Sequence, residues 1–184
     1  PVIGMVGLIE DLAHITTQAF KQAEDLIYVI GETQTDFNGN EVQKLLTHNI
    51  AGKLMEFDLS IEKKHQDCVL RGIQAGVINS AHDCEEGGLA VALAEAAFDG
   101  EFGFEAAFDM PATWLFAETQ SRFVVSVAKE NQAAFEALAG NIARHVGQVT
   151  TTGDMIFRMQ DDAVIVPVKE AKAKWEDAIP CLMK

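Results

Sequence analysis

The chain has 184 residues, 48% of them hydrophobic and 23% charged, with a formal net charge of −14. That length holds one domain with a full core or two small ones, and the acidic balance argues against nucleic-acid or anionic-membrane binding, since both call for a positive surface. The three cysteines, Cys68, Cys84 and Cys181, are too few and too widely spaced for a disulfide framework, and no apolar run approaches the ~18 residues that span a bilayer.

These features predict a reducing, cytoplasmic compartment. No signal-peptide pattern opens the chain. It begins at Pro1 and enters at once the apolar run Val2-Ile3-Gly4-Met5-Val6-Gly7-Leu8-Ile9, as an excised domain of a longer protein would. That run reads as a buried strand interrupted by glycine. Residues 14–17 and 21–24 read as loop, and 25–31 as a β-rich strand ended by Gly31. Residues 36–40 form a turn cluster, followed by a short helix from Glu41 to about Thr47. Asp58 is placed to cap the next helix, whose apolar positions fit helical spacing only roughly. Val77 and Ile78 lead into a loop. The helix after it sets Leu89, Ala92, Leu93, Ala96 and Ala97 on one face. Residues 101–108 alternate, with Phe102, Phe104, Ala106 and Phe108 on one side. Residues 111–117 read as one short helical turn, and 122–127 as a strand. A helix over 131–139 and strands over 146–150, 155–159 and 164–168 follow. A last helix, 169–178, is expected to stop at Pro180. Alternating strands and helices without a linker predict one α/β (α+β) domain over 1–184, a mixed sheet flanked by helices.

Chemistry concentrates in three places. His82-Asp83-Cys84-Glu85-Glu86 runs into Gly87-Gly88 at a helix start. Two glycines there permit either a tight junction or the close approach of a backbone or ligand. The free N–H groups and positive dipole end of such a start suit a phosphate. Glu85 and Glu86 suit the same dipole but repel a bare phosphate, a conflict that a divalent cation would remove. A second polar run, Glu118-Thr119-Gln120-Ser121-Arg122, stands directly before a strand, where side chains either cap backbone or reach a ligand. The third, Asn38-Gly39-Asn40-Glu41, is a turn that could cradle an anion. Zinc at Cys84 lacks paired ligand spacing, and a Cys84–His82 nucleophile pair is poorly placed in sequence. No metal ligands are assigned.

Four ordered segments carry a family resemblance. They are Pro1–Asp11; Asp25–Thr33; Ser80–Asp83 with Glu86–Glu95; and Glu118–Val127, to which Trp175–Pro180 adds a fifth. Together they resemble the C-terminal domain of phosphoribosylformylglycinamidine synthase, within the aminoimidazole ribonucleotide synthetase-like superfamily. The resemblance implies that superfamily's C-terminal-domain fold and a place at the end of a multi-domain ligase of purine biosynthesis. It implies a parent enzyme that uses ATP and Mg²⁺ to convert formylglycinamide ribonucleotide and glutamine to the amidine. Ammonia would come from a glutaminase domain or subunit, and the other partners would be the preceding ATP-site domains of the same chain. His82, Asp83, Gly87, Gly88, Glu118, Gln120 and Ser121 would then be ligand-site wall residues. No catalytic residue falls in this chain, because the family's catalytic histidine and metal carboxylates lie in the other domain type. The chain departs from the family at Glu85, often serine there, and at 38–41, usually Gly-Gly-Ser-Glu. The isolated domain is expected to be inactive and to self-associate through a face meant for a sister domain. A non-catalytic module that binds a small ligand or a partner is the alternative.

Overall fold

The computed structural model describes residues 4–35, 37–53, 55–100, 102–160 and 162–182. In chain order the elements are β1 (Leu26–Ile30), α1 (Glu41–Thr47), α2 (Leu59–Gln74), β2 (Ser80–Asp83), α3 (Gly88–Phe98), β3 (Gly103–Ala107), β4 (Phe123–Val127), α4 (Gln132–Ala139), β5 (Ala143–Thr150), β6 (Asp154–Arg158), β7 (Ala163–Pro167) and α5 (Val168–Leu182). A 3-10 turn, Ala112–Phe116, stands where one helical turn was expected. The helix starts follow capping chemistry. Asn40 accepts from the Gln43 N–H to open α1, and Asp58 accepts from the Ser60 N–H to open α2.

The seven strands form one mixed sheet in the order β2-β4-β1-β5-β3-β6-β7. Its pairings are antiparallel except β3 with β6. Every residue of β1 is buried, because the strand is covered on both faces. The side chains divide with the strand period of two. Ile27 and Val29 join the core beneath α3, with Leu89, Leu93, Phe104 and Phe157. Leu26, Tyr28 and Ile30 join the core beneath α2 and α4, with Cys68, Val69 and Phe135. The chain is therefore a three-layer domain, helices on either side of a sheet, as its alternating pattern predicts.

The α3 stripe behaves as read: Leu89, Ala92, Leu93, Ala96 and Ala97 are all buried. Three readings fail. Residues 4–9 form no strand and lie exposed; Pro1–Ile3 fall outside the described residues. β2 occupies a stretch read as loop, and it pairs with β4 on one side only. The terminal helix runs past Pro180 to Leu182. A proline in a last turn removes one N–H but leaves the following donors in place. No described helix is long and apolar enough to cross a membrane.

Truncation of a side chain at the centre of the larger core tests this packing. Leu93→Ala removes a fully buried side chain between α3 and the sheet. Denaturant unfolding should show a loss of about 2–5 kcal/mol.

Candidate functional site

The site grows from the end of β1. Gly31 follows the strand at a φ of +88°, and a Cβ there would lie 2.5 Å from the Ser121 carbonyl oxygen. Only glycine lets the 117–121 loop cross so close to the strand end. Ser121 itself holds a φ of +62°, uncommon for a residue with a side chain and a mark of a constrained loop. The loop is held by Arg122, only 1% exposed. Its guanidinium donates to the carbonyls of Thr119 at 2.8 Å and Ala117 at 2.5 Å, and to the Thr33 hydroxyl at 3.0 Å. The guanidinium fork thus ties the segment after β1 to the loop before β4, and burial lowers its pKa.

On the α2 side, His65 Nδ1 lies 2.7 Å from the Ser121 carbonyl. A carbonyl only accepts, so Nδ1 is the donor in this contact. The Ser121 hydroxyl donates to Glu62, one helical turn earlier. Thr119 closes the other side, receiving the Gln34 N–H at 2.9 Å.

Glu118 makes the most consequential contact. One of its carboxylate oxygens accepts from the Glu41 N–H at 3.0 Å and from the Gly87 N–H at 2.9 Å. A single side chain therefore serves the first turn of α1 and the junction before α3, two places with unpaired donors. The second glycine admits backbone: a Cβ on Gly88 would stand 2.3 Å from the Ala117 carbonyl oxygen, whereas one on Gly87 would meet the Val91 side chain. Gly87 and Gly88 adopt φ values of +81° and +62°. The close approach is thus made at Gly88 by the 115–117 backbone, and the Gly87 donor is satisfied from within.

These groups surround a cleft of about 650 Å³ lined by Asn38, Gly39, Asn40, Lys64, His65, Glu118, Gln120 and Ser121, among others. Gln120 and Lys64 are exposed on its wall. Glu32, Glu56, Asp58 and Glu118 also line it, leaving Lys64 as the one lysine or arginine among the described lining residues. His82 and Asp83 lie elsewhere. They line a smaller cleft of about 260 Å³ with Glu85, Glu86, Glu95 and Trp175. There His82 Nε2 sits 2.7 Å from Glu95 and Nδ1 3.4 Å from Asp83. A hydrogen bond with Asp83, and then its charge, raise the pKa of Glu85. Among the described residues no group of three or more His, Cys, Asp or Glu is placed to hold a metal ion.

The structure thus brings Glu118, Gln120 and Ser121 together with the 38–40 turn. It joins Gly87 to them through Glu118 and sets His82 and Asp83 apart. Sequence reasoning missed His65, Lys64, Glu32 and Asn141 on the cleft. One signal existed for His65. It falls on the α2 face that carries Cys68, Val69 and Gly72, all buried, and a polar side chain on a buried face asks for a partner.

A family model, AIR synthase related protein, C-terminal domain, matches residues 22–160. The phosphoribosylformylglycinamidine synthase subunit PurL of Lacticaseibacillus paracasei is 50% identical over 183 residues, covering 100% of this chain and 25% of the relative. The same-named subunit of Lacticaseibacillus casei is 49% identical over the same span. The chain therefore spans about a quarter of the length of the curated relatives it matches. Among solved structures, Thermotoga maritima PurL complexed with FGAR superimposes with a TM-score of 0.73 at 18% identity, over 88% of this chain and 30% of that one. The same protein complexed with ATP gives 0.71 at 17% identity, over 88% and 28%.

Two predictions follow from this geometry. Glu118→Ala strands the Gly87 and Glu41 donors, and denaturant unfolding should show a loss of about 1–3 kcal/mol. Burial pushes the Cys84 thiol up to about 12. An unfolded thiol ionises near pH 8.5, so above that the unfolded state binds fewer protons than the folded one. Stability should fall as pH rises from about 9 to 11, by up to about 1.4 kcal/mol per pH unit for this group. Cys84→Ala should flatten that slope in denaturant melts run across the range.

Proposed function

As the chain belongs to the AIR synthase related protein, C-terminal domain family, we propose that it is the last domain of a phosphoribosylformylglycinamidine synthase. The observation that carries this is the 50% identity with a subunit of that name over the whole of this chain. The parent would phosphorylate the amide oxygen of formylglycinamide ribonucleotide with ATP and let ammonia displace the phosphate. Ammonia would arrive from a glutaminase partner, and the chemistry would take place in the cytoplasm. Relatives of this fold are named as complexes with FGAR and with ATP, which supports a ligand of that class at the domain's polar cleft.

In this reading the domain supplies a wall. Gln120 and Lys64 offer side-chain donors to a phosphorylated ligand, while Ser121, Glu118 and the two glycines hold the wall in place. His82 and Asp83 line the smaller cleft, on a face turned to a neighbouring domain. The main cleft carries four carboxylates against one lysine, so a bare polyphosphate would be repelled. Mg²⁺ travelling with the nucleotide's phosphates would offset that repulsion and stabilise the charge of phosphoryl transfer. In this reading the groups that carry the reaction lie in the preceding domains, so the isolated domain is inactive.

One observation favours a second reading, a module that binds ligand without working chemistry. The Gly87 N–H that would meet a phosphate is already taken by Glu118. Kinetics of the full-length parent separate the two. Gln120→Ala with Lys64→Ala, both exposed on the cleft wall, should raise the KM for ATP or for formylglycinamide ribonucleotide by about 10–100-fold in the ammonia-dependent assay, with an unchanged melting temperature. Unchanged constants for both substrates, with ATP still bound by the lone domain in calorimetry, would favour the non-catalytic module.

A further inference from the structure

The apolar run at the start of the chain has the sequence of a strand and the surroundings of none. Met5, Val6, Leu8 and Ile9 are 92%, 103%, 87% and 57% exposed. A Cβ placed on Gly4 or Gly7 would meet nothing within 4 Å. The first buried side chains of the domain come later, at Ala19 and Phe20, where the Phe20 N–H donates to Ala96 at 2.8 Å. The Thr17 carbonyl accepts from Ala81 at 3.1 Å, along the free side of β2. The domain is thus entered at about residue 17, and the run before it takes no part in its packing.

Soluble chains do not leave four large apolar side chains in water without a partner. In an extended run, side chains alternate between faces. Met5, Gly7 and Ile9 would lie on one face, and Gly4, Val6 and Leu8 on the other. Both faces are apolar, the mark of a strand covered on both sides rather than one with a wet face. The two glycines, one per face, leave room for close neighbours.

The family boundary also falls after the run. The C-terminal-domain family model begins at residue 22, after the run, whereas the full-length relative aligns over 183 residues and so includes it. Three quarters of that relative lies outside this chain.

We infer that residues 4–9 are a β-strand of the domain preceding this one, inserted into that domain's sheet with both of its own faces covered. The inference rests on the proposed reading only in taking the chain as part of a longer one. The partner is a sheet edge with apolar cover on either side. Residues 10–16 are then the crossing between the two domains.

Hydrogen exchange read by mass spectrometry on the full-length parent and on this chain alone tests it. Amides of residues 4–9 should exchange without protection in the lone chain and at least about a hundredfold more slowly in the parent. Val6→Asp in the parent should lower the melting temperature of the preceding domain, and the same change in the lone chain should leave its melting temperature where it was. Unprotected amides in the parent would overturn the inference. So would protection in the dilute lone chain, which would place the run on this domain, or protection that appears only as the lone chain dimerises and is missing from the parent. None of these readouts involves the cleft or turnover, so failure of the proposed activity would leave them standing.

Discussion

Burial of β1 on both faces is the constraint from which the rest of the structure follows. Each of its five residues is removed from water, and they alternate between two cores. A strand in that position needs neighbours on both edges and cover on both faces. β4 and β5 supply the edges, α3 one cover, and α2 with α4 the other. The strand can then end in only one manner. Where cover stops, Gly31 takes a left-handed turn and the 117–121 loop crosses it at contact distance. The most buried strand of the fold therefore delivers the chain to the floor of the cleft.

The cleft is kept open by polar contacts rather than by apolar packing. Arg122 carries a charge where burial disfavours one, and neutral acceptors hold it: two carbonyls and a hydroxyl. Carbonyl oxygens that would otherwise lack donors in a tight loop are thereby satisfied. His65 and Glu62 grip the same loop from α2, through the Ser121 carbonyl and hydroxyl. A loop anchored from three elements can hold Ser121 at an uncommon φ and still present Gln120 to the cleft.

What the sequence made legible is what depends on local periodicity and capping. β1, β4, the α3 stripe and the cap at Asp58 were readable because their cause lies within a few residues. β2 was not, since four residues of mixed polarity form a strand only because β4 offers an edge. The run over residues 4–9 showed a strand pattern that no neighbour in this domain completes. The polar stretch 118–121 was legible as a site candidate by composition. That Glu118 turns back onto two helix starts was not, because its partners stand 77 and 31 residues away. His82 and Asp83 entered the same candidate set through sequence adjacency to the glycines, yet β2 carries them to a different cleft. Adjacency in the chain is a poor guide to adjacency across a sheet edge.

Glu118 can also be seen as an anion the protein carries with it. A side chain tethered beside its donors acts at an effective concentration on the order of millimolar or more. Any free anion arriving at the Gly87 N–H competes against that resident. Displacing it frees the starts of α1 and α3 from their shared acceptor in one event. An anion that took its place and a movement that drew the two helix starts apart would then be linked through that one acceptor, each changing the other by the same factor.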